Sequence, residues 1–328
     1  MRYDDKDRQS SHVEDRRGQR GGFGFPRGGG FRIPMGRRGG FSITTLLIIG
    51  AVMLLFGMNP LDLIFKGGMP GGGGAKFDIP GLPGGGSRPS ASGTKFDIPG
   101  LPGSSRTSTS SGGDQDKVFI SHVLADTEDV WKRVFSSFGK TYREPTLVLF
   151  TGATGTACGT GQRAMGPFYC PIDEKVYIDL AFFEQLRRKF NAPGDFAQAY
   201  VIAHEIGHHV QKQLGIADKV QQLKQRLSNG EGKALQVRME LQADCLAGVW
   251  ANLNDQLNSR LQPGDIDEAI NATSQIGDDM IQRRQTGRVV PDAFTHGSAA
   301  QRTRWFRRGF DTGKMQVCDT FKVEGSKL

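Results

Sequence analysis

The 328 residues include 46 Gly, 4 Cys, 37% hydrophobic and 23% charged residues, a composition that excludes a fully disordered chain, a collagen and a disulfide-dense miniprotein. Residues 1–113 hold 27 of the glycines and 15 Lys and Arg against 8 Asp and Glu (net +7), whereas residues 114–328 carry a net charge of only +1. The basic character therefore belongs to the N-terminal part, and the C-terminal part, long enough for one sizeable core, gives no electrostatic reason to expect a nucleic-acid partner.

In chain order, residues 1–40 read as a basic Gly- and Arg-rich tail. Phe41 to Met58 contains no charged residue and continues through Asn59-Pro60-Leu61, close to the ~20 residues needed to cross a bilayer core. Residues 41–61 are thus expected to be one transmembrane helix. Arg27, Arg32, Arg37 and Arg38 precede the span and only Lys66 and Lys76 follow within the same distance. That excess puts the N-terminus in the cytoplasm and the C-terminal domain on the extracytoplasmic side of the membrane. Residues 62–113 read as a Gly/Pro/Ser-rich linker that repeats KFDIPGLPG at 76–84 and 95–103; two copies are too few for a solenoid.

Residues 114–328 read as the folded domain. Apolar spacing predicts a helix over 116–139, and Thr146–Phe150 and Val176–Leu180 read as strands, the first a candidate to pair with an extended substrate. Further helices are predicted over 181–190, 195–214, 233–257, 265–285 and 298–310. The fold class is α+β, mostly α, with a small sheet.

The chemistry concentrates in the helix over 195–214, which contains His204-Glu205-Ile206-Gly207-His208. Residues four apart share one helix face, so both imidazoles reach a single Zn²⁺, with Glu205 beside them as general base for a zinc-activated water. A catalytic zinc takes three protein ligands. On the next predicted helix Glu240 and Asp244 are again four apart in an apolar run, where two acids are costly unless paired or metal-bound. Glu240 is the candidate third ligand, and Asp244 the acceptor that orients a ligand imidazole. His209, about 100° round the helix from His208, is expected to face elsewhere.

HEIGHH followed by Glu240-Leu241-Gln242-Ala243-Asp244 resembles the gluzincin pattern in the form found in a class of integral-membrane zinc peptidases. Ser10 to Gly18, Gly166 to Pro171 and Val176 to Asp179 extend the similarity to the bacterial predicted neutral zinc metallopeptidases. The resemblance implies a zincin-like domain with one Zn²⁺ per chain on His204, His208 and Glu240, Glu205 as base and Asp244 behind the ligands. Thr295-His296-Gly297-Ser298 with Gln301-Arg302 is similar to a Thr-His-Pro-Ser…Arg stretch of those enzymes, with Gly297 in place of Pro. His296 is accordingly either an oxyanion-stabilising residue or a helix-capping one.

The expected function is a zinc metallopeptidase anchored in a bacterial inner membrane, its domain on the periplasmic side, acting on peptide or protein substrates; the alternative is a non-catalytic, membrane-tethered zinc-binding scaffold or quality-control module, which has no need of Glu205. Cys158 and Cys170, separated by eleven residues in a Gly-rich loop, form a candidate disulfide in an oxidising compartment, leaving Cys245 with Cys318. The residues do not reveal the oligomeric state.

Overall fold

The structure, a computed structural model, describes residues 1–18, 111–162 and 165–328. The apolar run over 41–61, the remainder of the basic tail and the duplicated linker lie outside these residues. No helix among the described residues is long and apolar enough to cross a membrane.

The element order is β1 (Val13–Asp15), α1 (Ser111–Ser137), β2 (Thr146–Phe150), β3 (Ala153–Thr156), β4 (Gly159–Gln162), β5 (Phe168–Cys170) and β6 (Lys175–Asp179). It continues with α2 (Ala181–Arg188), α3 (Asp195–Gln213), α4 (Ile216–Lys224), α5 (Asn229–Asn258), α6 (Asp265–Gln275), α7 (Asp278–Thr286) and α8 (Ala299–Thr312). Four strands form one sheet in the order β1-β2-β6-β5, with β5 antiparallel and the other pairings parallel. β3 and β4 form a separate hairpin, joined to β5 by the Cys158–Cys170 disulfide. The result is a mostly helical α+β domain with a small sheet.

β2 occupies the middle of the sheet because Leu147, Val148, Leu149 and Phe150 are all buried, and a strand that is apolar on both faces must be covered on both. Its two backbone edges are taken by β1 and β6. Thr146–Phe150 therefore has no free edge for a substrate, contrary to the sequence expectation; among the described residues the edge strand next to the helices is β5.

The sequence pattern sets residues 1–40 apart from the domain as a tail, but residues 1–18 pack onto it. Val13, Glu14 and Asp15 pair in parallel with Leu147, Val148 and Leu149. A strand of three half-buried residues, paired with one more than 130 residues later, has no period for a sequence reading to detect. The helix expected over 265–285 is also two helices. At Gly277 the chain passes so close to α8 that a Cβ would lie 2.3 Å from the Ala299 nitrogen, and the backbone turns extended (ψ 144°) before Asp278 starts α7.

Helices α3, α5 and α8 form the centre of the domain, with α6 and α1 against them. Their approach rests on glycine. A Cβ on Gly207 of α3 would lie 3.1 Å from the Ala243 backbone of α5, and one on Gly309 of α8 would lie 1.9 Å from the Cys245 carbonyl. Cys245 and Cys318 form a disulfide beside this contact. The backbones cannot both stay in place around an added methyl, so Gly309→Ala is expected to destabilise the domain by about 3 kcal/mol. Chemical denaturation of the full chain, comparing G309A with an alanine substitution at a solvent-exposed position of α8, checks this.

Candidate metal centre

α3 is capped by no side chain and is buried along most of its length, so its polar residues need partners inside the protein. His204 and His208 lie on the face that meets α5. The close crossing at Gly207 brings Glu240 within reach of both: Glu240 Oε2 is 3.2 Å from His204 Nε2 and 3.4 Å from His208 Nε2. One ligand atom from each of the three residues falls within 4.8 Å of the others. Two imidazole nitrogens and one carboxylate, with one side facing a cleft, form a donor set that suits zinc with an open coordination position.

The imidazoles are fixed from behind. His204 Nδ1 donates to Asp244 Oδ1 at 2.8 Å, and His208 Nδ1 is 2.9 Å from Gln211 Oε1. Gln211 is itself held, donating to the Met239 carbonyl and to Gln242. Each ring thus has its Nδ1 tied down and its Nε2 turned toward Glu240, the tautomer a metal requires. Gln236 Nε2 donates to the other Glu240 oxygen at 2.7 Å, fixing the carboxylate as well.

Asp244 is fully buried and accepts from three residues. Besides His204, Tyr200 Oη donates to Oδ1 at 2.5 Å, and Arg302 donates from Nε to Oδ2 and from a terminal nitrogen to Oδ1, both at 2.9 Å. Burial alone would raise its pKa, but the Arg302 and His204 charges hold it down to about 2. Burial likewise opposes the charged form of His204, yet the carboxylates of Asp244 and Glu240 outweigh it and hold its pKa up to about 10. The same balance favours the charged form of His208, through Glu240, and keeps Glu240 ionised despite its burial. Two imidazole nitrogens and a carboxylate oxygen held this close together mark the place where a divalent cation satisfies all three groups.

Glu205 shares the helix but not the network. Its carboxylate has no hydrogen-bond partner among the described residues and lines a cleft with two lobes, of about 590 Å³ and 410 Å³. His204, Glu205, His296 and Pro167 border both lobes. One is walled by Phe168, Tyr169, Val220 and Met239, the other by Phe182, Phe190, Ile276 and Ile281.

His296 reaches this cleft from the loop before α8. Its Nδ1 is 3.3 Å from Asp278 Oδ1, while Asp278 Oδ2 accepts the backbone N–H groups of Thr295, His296 and Gly297. Asp278 thus fixes both the ring and its loop. Gly297 adopts φ +94°, which a proline ring cannot; glycine therefore stands where the resemblance leads one to expect Pro. Ser298 provides the helix cap, in a capping box with Gln301, so the capping role does not fall to His296.

His209 faces away from the trio. It is fully buried, with Nδ1 3.0 Å from Tyr169 Oη and Nε2 2.7 Å from the Arg143 carbonyl, and so ties β5 and the loop before β2 to α3. A second group of carboxylates, Asp195, Asp265 and Glu268, is engaged by the Met1 amino group, 2.6 Å from Asp195 and 3.1 Å from Asp265.

Residues 93–321 match the model of a family described as "Putative neutral zinc metallopeptidase". The chain belongs to this family. It is 45% identical over 314 residues, 96% of each chain, to the uncharacterized protein YpfJ of Escherichia coli strain K12. It is 41% identical over 226 residues to the uncharacterized protein Rv2575 of Mycobacterium tuberculosis, covering 65% of this chain and 74% of the other. No solved structure matches. Family membership implies zinc as the metal and a hydrolase as the class of enzyme, and the His204, His208 and Glu240 donors fit that ion.

Gln236, Gln211 and Asp278 escape the sequence reading, and Arg302 enters it only within the stretch that carries the resemblance, without a role. Gln236, four before Glu240, and Gln211, three after His208, carry a helical-spacing signal that an uncharged side chain does not announce. Arg302 and Asp278 are brought in by long-range packing; the signal for Asp278 is the Gly277-Asp278 pair, a glycine stop followed by an acidic helix start. Asp244→Asn replaces one of the two acceptor oxygens with an NH2 donor, so the side chain no longer fixes the His204 tautomer, and it leaves Arg302 buried without its counter-charge. Zinc affinity is expected to fall 10- to 100-fold and stability by about 3–5 kcal/mol, checked by competitive zinc titration and denaturant unfolding of the zinc-free protein.

Proposed function

We propose that the protein is a zinc-dependent endopeptidase, one zinc per chain, with Glu205 as its general base. The observation that carries this reading is the contrast between two carboxylates on one site: Glu240 is clamped between His204 and His208, whereas Glu205 is untied and opens on the cleft. A structural zinc site is closed by four ligands and has no use for a free carboxylate beside it.

A zinc ion held by His204, His208 and Glu240 supplies Lewis-acid polarisation of a substrate carbonyl and acidifies water. Glu205 takes the proton of the attacking water and returns it to the leaving amine. The His296 ring, steadied by Asp278, stands at the cleft border where it can donate to the developing oxyanion. The β5 edge, with Phe168 and Tyr169 on the cleft wall, is placed to pair with an extended polypeptide. Because the cleft continues on both sides of the site, a chain can pass through rather than end there, which supports endopeptidase action on a peptide or protein. The two disulfides support a location on the oxidising, extracytoplasmic side of a bacterial membrane, with the apolar run over 41–61 holding the protein there.

Three outcomes are expected for the full chain. Glu205→Gln keeps one zinc per chain by elemental analysis but loses about 10³-fold in kcat on an unstructured protein substrate; retained turnover excludes the base role. Chelation abolishes turnover, and added zinc restores it. His296→Ala lowers kcat about 10²-fold with zinc content and KM unchanged; unchanged kcat removes His296 from the chemistry.

A further inference from the structure

Residues 1–18 and 111–328 flank the apolar run in sequence, yet they form one folded unit. The arm contributes more than a surface contact. Leu147 N–H donates to the His12 carbonyl and Arg16 N–H to the Leu149 carbonyl, both at 2.8 Å, extending the sheet. Ser10 N–H donates to the Ser121 carbonyl of α1 at 2.9 Å. Without β1, β2 would present an open backbone edge above a core strand.

The side chains lead to the same conclusion. Glu128 of α1 is 1% exposed, and its carboxylate takes its hydrogen bonds from the arm: Ser10 Oγ at 2.5 Å, Arg8 at 2.9 Å and His12 Nδ1 at 2.9 Å. Asp126, 2% exposed, accepts from Tyr3 at 3.0 Å alongside Arg260, and the Arg260 guanidinium lies over the Tyr3 ring. Glu14 pairs with Lys175 of β6 at 2.9 Å. Buried carboxylates persist only with partners in place, so the domain is built to receive this arm.

We propose that residues 1–18 fold as an integral part of the metallopeptidase domain and lie with it on the same side of the membrane. The apolar run between them therefore does not separate the N-terminal arm from the domain. This is at odds with the single crossing expected from the sequence, in which a cytoplasmic N-terminus and an external domain could never meet. The charge bias around the run is modest, four cations against two, whereas the arm's buried contacts are specific to individual side chains. Where the arm lies does not depend on the peptidase activity.

The test uses the full chain in its own membrane. A zero-length carbodiimide should join Glu14 to Lys175, detected as a cross-linked peptide by mass spectrometry. Separately, the four native cysteines are paired, so single cysteines introduced at exposed positions, Lys6→Cys in the arm and Arg307→Cys in the domain, report their side by labelling with a membrane-impermeant maleimide in spheroplasts. The expected result is the cross-link together with the same labelling at both positions. Labelling of one position and protection of the other, or absence of the Glu14–Lys175 product while other carbodiimide cross-links within the domain form, overturns the proposal.

Discussion

Asp244 is the constraint from which the site is assembled. Its two oxygens take hydrogen bonds from α3 through His204 and Tyr200, and from α8 through Arg302, while Asp244 itself belongs to α5. Arg302 also donates to Tyr200 Oη at 3.0 Å, closing the network. Taking the Arg302 and Asp244 charges out of water is expensive, and their mutual attraction offsets that cost only with good geometry and satisfied remaining groups. Here both conditions hold, so the three helices have one mutual arrangement in which the carboxylate is satisfied. The same arrangement sets the His204 ring with Nε2 toward the cleft; the electrostatic demand of the core and the orientation of a ligand are one interaction.

Such a network needs backbones closer than ordinary side chains permit. Gly207 sits between His204 and His208, on the stretch of α3 that crosses α5 at Ala243, one residue before Asp244. A larger residue there would push Glu240 and Asp244 away from the imidazoles they serve. Gly248 and Gly309 do the same between α5 and α8, keeping Arg302 within reach of Asp244. The Cys245–Cys318 disulfide lies next to this contact, fastening the C-terminal segment to the helix that supplies two of the site's carboxylates.

The sequence discloses this site unevenly, for physical reasons. His204 and His208 are legible because four residues make one helical turn, a local fact that folding does not alter. Glu240 and Asp244 are legible because acids inside an apolar run require an explanation. Asp278 is not: its effect on His296 depends on a helix break at Gly277 and on a loop returning eighteen residues later. β1 is least legible, since Val13-Glu14-Asp15 has neither length nor alternation and its partner strand is remote. The Arg- and Gly-rich composition of residues 19–40 invites the reading of one continuous tail from the N-terminus, although Arg8, Arg16 and Arg17 are paired with acids. The β2 and β6 strands, in contrast, lie within a residue of their expected limits because their burial is continuous.

Two glutamates within one cleft come to opposite ends through their surroundings alone. Glu240 lies in a buried pocket where two imidazoles and Gln236 fix both its oxygens, so its ionised form is held in one geometry and its proton affinity is depressed. Such a carboxylate is a good ligand and a poor base, because protonation would break the contacts that position it. Glu205, one residue from His204 but rotated off the metal face, meets cleft space instead of a donor. A base must take up and release a proton without dismantling the site, and only a carboxylate outside the network can do so. The helical spacing that places His204 and His208 on one face is also what turns Glu205 away from Glu240, so the proposed ligand and the proposed base are separated by the geometry of a single turn.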